Sequence, residues 1–439
     1  MADVALIGVA LLGTCLGAFV ALMPGLHVYS IAAFALALSG QNLIPLANES
    51  LAMFLLGMVT GWAVVNAIPA VFLFAPDDAS AMTVMPSTKL MMRGRGAEAA
   101  ILIGAGSLAA CVALVALAPV LDELIRPLRA IISPHLGWML TAIIVFLLLG
   151  EWPRGNERLP TPARRLASAW AYLGAGLLTF LLSGLMGFVL MYRSPIPPEA
   201  AYQNLLPAFV GLFSLPGLIQ VLAFGSAIPK QDSRATPSLS ANLLARGALT
   251  GVAGGLFAGI MPVISGGVGG LLAGHATAQR DDRLFLISQG ASKVAYYVGG
   301  LLLLFVPGAG LVRGGMAWML SSGYMPYGWR IYLLAISGVA LCGALAFVLL
   351  MAFSRGAAAI ANKTNPRIAA ALALVMALAI TMAFTGLPGL AVAAVATLVG
   401  LIPVLVGGRR MNCLGVLLLP ITLNVIGVGP DVARALGLV

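Results

Sequence analysis

Apolar runs follow one another along the whole chain, parted by short polar stretches. They fall at about 4–22, 28–46, 51–74, 98–120, 136–150, 166–191 and 205–224. A second set falls at about 246–262, 264–276, 284–306, 329–353, 368–386, 389–406 and 411–427. A helix rises 1.5 Å per residue and a bilayer's hydrocarbon core is about 30 Å thick, so runs of roughly twenty such residues predict spanning helices. The expected fold is an all-α polytopic membrane protein. Several runs are too short to cross alone. The pairs 4–22/28–46 and 246–262/264–276 are hinged at Met23-Pro24 and Met261-Pro262, and read as broken helices or re-entrant hairpins.

The two hinges belong to one repeated pattern. GTCLGAFVALMPGLHVYS begins at Gly13 and GVAGGLFAGIMPVISGG at Gly251. A shift of 238 residues, the interval from Gly13 to Gly251, lays Gly17 on Gly255, Phe19 on Phe257, Met23 on Met261 and Pro24 on Pro262. It also lays Pro69 on Pro307. Matched interruptions in two halves are the sequence mark of a transporter's binding site. Residues 1–224 and 246–439 are therefore expected as two membrane repeats of inverted topology, joined by a polar cytoplasmic linker at 225–245.

Composition sharpens the class. The chain is 61% hydrophobic and 9% charged, with a mean hydropathy of +1.04, whereas soluble domains carry roughly 25% charged residues. The net charge of +10 is accounted for by positive-inside bias. If 75–97, 151–165, 225–246, 277–283, 354–367 and 407–410 face the cytoplasm, they hold 17 of the 24 lysines and arginines. The first hairpin then opens outward and the second inward. No basic module suggests nucleic-acid binding. The four cysteines lie in apolar runs without metal spacing. The N-terminus lacks a basic region before its first apolar run, which is expected to be retained.

Proline ends a helix by removing an N–H and clashing with the preceding turn. Gly25, or Ser265-Gly266-Gly267, lets the chain turn back, and the next helix starts with free N–H groups that suit an anion. Ser30 and Ser265 are placed to cap those starts. A plain kink is the structural alternative. The stretch NAIPAVFLFAPDDASAMTVMPSTKLMMRGRGAEAA, from Asn66 through Pro69 to Asp77 and Asp78, reads as a helix that dissolves into a loop and re-forms near Gly96. Asp77 and Asp78 are candidate ligands for a coupling Na+ or H+, or else solvated carboxylates near Arg93 and Arg95. Lys293, inside the run 284–306, is a candidate anion ligand or a snorkelling lysine. His27 follows the first break and is a candidate donor to an anion, or a structural histidine. No catalytic motif, metal cluster or nucleotide-binding loop appears, so the expectation is no enzyme, no metal and no cofactor.

GAFVALMPGLH, the Asn66–Ala99 stretch and MPVISGG followed by RDDRLFLISQGASK resemble the large permease subunit of tripartite tricarboxylate transporters (the TctA family), in its archaeal-type branch. The resemblance implies a secondary transporter of a small organic anion, a carboxylate, in the inner (plasma) membrane. It implies coupling to an ion gradient, with a small membrane subunit and a periplasmic binding protein as possible partners; a homo-oligomer is compatible with it. The chain departs from the family pattern at MPSTK and MPVIS. PVISGG is similar to a polyprenyl-phosphate translocase signature, which makes a lipid phosphate the alternative cargo. A non-transporting accessory subunit is the second alternative. On the transporter reading, substrate is expected at Pro24, Gly25, His27, Asn66, Pro69, Pro262, Ser265, Gly266, Gly267 and Lys293, and the coupling ion at Asp77 and Asp78.

Overall fold

The structure is a computed structural model that describes residues 2–40, 47–152, 159–225, 228–234, 237–308 and 311–439. Residues 41–46, at the end of the expected run 28–46, and 153–158, in the expected loop 151–165, lie outside these. The described residues form helices and no strands. The first part of the chain holds α1 (Ala2–Val20), α2 (Val28–Gly40), α3 (Asn48–Val65), α4 (Ala67–Phe72), α5 (Val84–Met91) and α6 (Gly96–Leu117). Then follow α7 (Leu121–Ile132), α8 (Leu136–Leu149), α9 (Pro162–Tyr192), α10 (Leu206–Phe209) and α11 (Leu215–Phe224). The second part holds α12 (Ala241–Ile260), α13 (Gly266–Ala276), α14 (Asp282–Phe305), α15 (Gly315–Ser321) and α16 (Trp329–Ala361). It ends with α17 (Pro366–Val406), α18 (Gly415–Ile426) and α19 (Gly429–Ala435). Eight helical stretches among the described residues are long and apolar enough to cross a membrane, or nine if a pair bent by 116° counts as one span. The chain is a multi-pass membrane protein.

The break in each half falls where its proline requires. α1 stops at Val20, four residues before Pro24, and α12 at Ile260, two before Pro262. The helices that follow the breaks, α2 and α13, begin at Val28 and Gly266, again 238 residues apart. They have 13 and 11 residues, about 20 and 16 Å at 1.5 Å per residue, so each reaches roughly halfway across a bilayer. Farther along, α17 bends at Gly386, whose φ is +66°, just before Pro388. The runs expected at 368–386 and 389–406 are its two arms. Residues 84–91, expected as loop, form α5.

The matched glycines have a packing cause. A β-carbon on Gly13 or Gly17 of α1 would collide with the carbonyl oxygen of Phe54 or Met58 of α3. In return, one on Gly57 or Gly61 would strike the carbonyl of Ala10 or Thr14. In the second half Gly251 and Gly255 of α12 sit in the same way against the carbonyls of Ser288 and Ser292 of α14. Lipid gives helices no hydrophobic reason to associate, so close backbone contact through small residues does that work. The remaining contacts are exchanged between halves: α6 packs on α14 as α16 packs on α3, and α1 meets α16 as α12 meets α6. A second bundle joins α9 to α18, and α10 and α11 to α17.

Ion pairs tell the two ends of the molecule apart. Arg330 at the start of α16 pairs with Asp3 of α1 at 2.6 Å and Glu49 of α3 at 3.0 Å. The Tyr332 hydroxyl donates to the Ala118 carbonyl just past the end of α6, at 2.7 Å. At the other end Arg283, at the start of α14, pairs with Glu98 at the start of α6, beside Arg95. There Lys89 of α5 meets Asp282 at 3.0 Å. α1, α3 and α16 thus begin at one end, and α6 and α14 at the other.

Close packing at the glycines leads to a direct expectation. Gly17→Leu and Gly255→Leu each force a backbone contact apart and lower stability by roughly 1–3 kcal/mol. Gly8→Leu, with nothing within 4 Å of the added carbon, serves as control. Thermal unfolding in detergent checks this; equal melting temperatures for all three variants contradict it.

Candidate functional site

The first break is held by Trp62 from α3 and by a side chain of its own. Gly25 adopts a φ of +84° in the turn between α1 and α2. The Trp62 indole N–H of α3 donates to the Leu26 carbonyl at 3.2 Å. His27 then caps α2 with its ring: the backbone N–H of Tyr29 donates to Nδ1 at 3.2 Å. Ser30, the expected cap, lies one turn in, and its carbonyl accepts from Gln203 at 2.8 Å. The helix starts at the residue after His27, which puts the imidazole at the cap position.

The second break falls at the matched position with different chemistry, and here α13 folds back onto α12, Gly254 against Gly269, whereas α2 packs on α3 and α15 rather than on α1. Val263 occupies the position of Gly25 and keeps a positive φ of +56°, an outlying conformation for a β-branched residue. Ser265 does hold the N-cap position of α13, yet its hydroxyl makes no bond to that helix. It donates instead to the Asp78 carbonyl at 3.5 Å. The Ser292 hydroxyl of α14 donates to the Gly266 carbonyl at 2.6 Å.

Between the two breaks runs the connector that follows α4. Asp77 Oδ1 accepts from the backbone N–H and the hydroxyl of Ser80, closing a tight turn. Its other oxygen is buried without a hydrogen-bond partner among the described residues. Asp78, 7% exposed, extends toward the first hairpin. Its Oδ1 lies 3.6 Å from His27 Nε2 and 3.5 Å from the Tyr297 hydroxyl, which is itself 3.0 Å from His27 Nε2. A β-carbon on Gly267 would strike the Ala79 carbonyl. The two hairpin tips therefore rest on one stretch of chain, the first on the side chain of Asp78 and the second on the backbone of Asp78 and Ala79.

Lys293 supplies positive charge from α14. It is 2% exposed, donates to Asn66 Oδ1 at 3.2 Å, and stands 5.6 Å from the centre of the Trp62 ring, a cation–π distance. Among the described residues no carboxylate forms an ion pair with it. One turn earlier Gln289 is buried with neither amide atom partnered among the described residues. A cavity of about 20 Å³ opens between Gly25, His27, Asn66, Asp77, Asp78 and Ser214. That is room for one water-sized occupant, so a larger solute enters only if the tips part.

His27, Asp77 and Asp78 each present one atom within 4.8 Å of the others, a spacing compatible with a metal ion. The hydrogen bonds do not fit one. Nδ1 already accepts the Tyr29 N–H, so the neutral ring carries its hydrogen on Nε2, the nitrogen that faces the carboxylate. A donor in that position cannot ligate a metal.

Of the residues expected at the site, Gly25, His27, Asn66, Asp77 and Asp78 line the cavity. Ser265, Gly266 and Gly267 lie on the far side of the connector and Lys293 beside Asn66. Pro24 and Pro262 shape the turns. Pro69 is elsewhere: within α4 it lines an apolar crevice of about 350 Å³ with Leu22, Phe72 and Phe353, because a proline on that turn faces α16 rather than the hairpin. The sequence reading missed Trp62, Tyr297 and Arg410. Helical spacing carries a signal for the first two, since Trp62–Asn66 and Lys293–Tyr297 are i, i+4 pairs sharing a helix face. Arg410, expected in a cytoplasmic loop, donates to the carbonyls of Phe74 at 3.0 Å and Phe213 at 3.3 Å and so anchors the connector.

Two broken helices meeting on a buried acidic connector in a multi-pass helical protein define the class of membrane permeases built around interrupted spans. Residues 7–415 match the tripartite tricarboxylate transporter TctA family, and the chain belongs to that family. It is 28% identical over 311 residues to an uncharacterized protein of the archaeon Methanocaldococcus jannaschii, covering 70% of each chain. No solved structure matches the chain.

The turn at Gly25 gives a stability expectation. A β-carbon there combines an unfavourable left-handed backbone with a contact of 3.1 Å to Val210. Gly25→Ala should cost roughly 1–2 kcal/mol, read as a lower unfolding temperature. A melting curve identical to that of the natural protein would remove the claim that this turn needs glycine.

Proposed function

We propose that the chain is a secondary carrier that moves a small organic anion, a carboxylate, across the inner membrane by alternating access, coupled to an ion gradient. The observation that carries this reading is the meeting of both hairpin tips on Asp78, with the buried cation Lys293 close by. Lys293 retains donors beyond its bond to Asn66, and the uncapped start of α13 offers backbone N–H groups. Those groups, Asn66 and the unpartnered amide of Gln289 suit the oxygens of a carboxylate.

Topology supports the same reading. α3 and its counterpart α14 start at opposite ends of the molecule, as do α16 and α6. Opposed counterparts are what inverted repeats require, and rocking of such repeats exposes a central site to each side in turn. The end that carries Lys89, Arg95 and Arg283 is the cytoplasmic one by positive-inside bias. Asp77 and Asp78 hold the coupling ion. The tripartite family adds a small membrane subunit and a periplasmic binding protein as partners.

One observation favours a second reading. The apolar crevice beside Leu22 has the lining that a hydrocarbon chain would fill, which keeps a lipid-phosphate translocase in view. Purified protein in vesicles separates the two. Accumulation of a labelled tricarboxylate is the expected result. Lipid-phosphate scrambling without uptake would replace the carrier by the translocase, and neither activity would leave an accessory subunit. Lys293→Met should weaken tricarboxylate binding by roughly 1–3 kcal/mol, the range for a hydrogen bond to a charged group. Equal affinity in a direct binding measurement would remove Lys293 from the substrate site.

A further inference from the structure

Resting on the carrier reading above, we propose that the coupling ion is a proton, and that its seat is a relay from His27 through Tyr297 to Asp78. The direction of the relay follows from the hydrogen bonds. Nδ1 of His27 accepts the N–H of Tyr29, so Nε2 carries the ring hydrogen and donates it to the Tyr297 oxygen at 3.0 Å. The Tyr297 hydroxyl then points its own hydrogen at Asp78 Oδ1, 3.5 Å away. Every donor in the row aims toward the carboxylate. Tyr297 is thereby a positioning and relay residue, beyond the residues expected from the sequence.

A proton arriving at Nδ1 moves along this row with all hydrogens accounted for. The Nε2 hydrogen passes to the Tyr297 oxygen and the hydroxyl hydrogen passes to Asp78. The ring ends neutral with its hydrogen on Nδ1, the phenol is restored, and Asp78 becomes a carboxylic acid. One proton has entered and one negative charge has gone. The same step changes the hairpin, because a hydrogen on Nδ1 can no longer accept the Tyr29 N–H. The start of α2 loses its cap as the carboxylate is neutralised.

The charges around the relay set the order of binding. The titratable and charged groups that meet it are Tyr29 from α2, Asp77 and Asp78 from the connector, and Lys293, Tyr296 and Tyr297 from α14. α3 and α10 contribute Trp62, Asn66 and Phe209, which carry no charge. With both aspartates ionised and Lys293 charged, the cluster carries one net negative charge and repels a carboxylate. One proton on Asp78 cancels it, so the proton precedes the anion.

The chain has three histidines, so nitrogen-15 histidine NMR on the full-length protein in nanodiscs reads the tautomer directly, with His27→Gln assigning the signal. The expected result is the Nε2–H form at high pH, converting to the neutral Nδ1–H form as pH falls, with no conversion in Tyr297→Phe. An Nδ1–H ring at high pH, or a passage straight to imidazolium that Tyr297→Phe leaves unchanged, overturns the relay. In vesicles, a pH gradient should drive tricarboxylate accumulation of about tenfold per pH unit, the equilibrium factor for one coupled proton. Tyr297→Phe and Asp78→Asn, each checked for intact folding by its melting temperature, should lose the response of uptake to pH; a response equal to that of the natural protein in either variant overturns the relay. Uptake driven by a sodium gradient at fixed pH, and equal in Tyr297→Phe, overturns the proposal. The NMR readout needs no transport: an intact tautomer switch in vesicles that take up no tricarboxylate leaves the relay standing and removes the carrier reading alone.

Discussion

A helix interrupted inside a bilayer leaves backbone groups that lipid cannot satisfy, and the rest of this site is organised by that need. At the first break the Leu26 carbonyl takes the Trp62 N–H and the Tyr29 N–H takes the His27 ring. At the second, the Gly266 carbonyl takes the Ser292 hydroxyl. Apart from the His27 ring, the side chains that satisfy the breaks come from α3 and α14, the helices against which α1 and α12 are pressed at their glycines. Close packing therefore comes first: it brings α3 and α14 near enough for Trp62 and Ser292 to reach the broken helices. The polar groups gathered at the tips are a consequence.

The two halves share architecture and divide the chemistry. Shifting by 238 residues lays Gln289, Lys293, Tyr296 and Tyr297 of α14 on Leu51, Leu55, Met58 and Val59 of α3. The polar face is present once. Conversely Asp77 and Asp78 belong to the first half, where the second has Gly315 and Met316. Cation and carboxylates are thus split between the two halves of the chain, so opposite charges stand on opposing elements. α14 can afford its polarity because protein surrounds it: it is long enough to span but less apolar than the eight stretches that meet the hydropathy test. An ionisable group at membrane depth is tolerated when it faces the interior.

Much of the fold was legible because its causes are local. Proline and glycine act on their own backbone, so the breaks near Pro24 and Pro262 could be read directly, whereas the runs 368–386 and 389–406, read as separate, are one helix bent at Gly386. The shared spacing of Gly13 and Gly17 with Gly251 and Gly255 was visible too, although its cause, a carbonyl on the neighbouring helix, was not. Lys293, Asn66, His27 and the aspartates stood out as polar residues in apolar surroundings, and they do converge. Partners were harder. Nothing near residue 27 announces Tyr297, 270 positions away, and Arg410 looked like a loop cation until its contacts with Phe74 and Phe213 were seen. Ser30 and Ser265 were read as caps from residue type alone. The turn geometry gave that role at the first hairpin to His27, and at the second it left the helix start uncapped with the serine facing Asp78. Pro69 failed for a similar reason: its repeat partner fixed its position in the chain but not the side of the helix it faces.

The uncapped start of α13 and the strained Val263 bear on the same question. A hairpin whose turn holds a β-branched residue at positive φ is less stable than one turning on glycine, and one without a side-chain cap gains less on closing. Both features fall on the second hairpin, while the first has glycine at the turn and a histidine cap. The two tips therefore differ in what holds them shut. The first is tied by hydrogen bonds that depend on where a proton sits on His27; the second is tied by packing against Ala79 and by the Ser265 hydroxyl on a backbone carbonyl. Two tips with different fastenings on one connector respond to different changes: moving the proton on His27 loosens the first, whereas the packing on Ala79 that holds the second is unaffected by it.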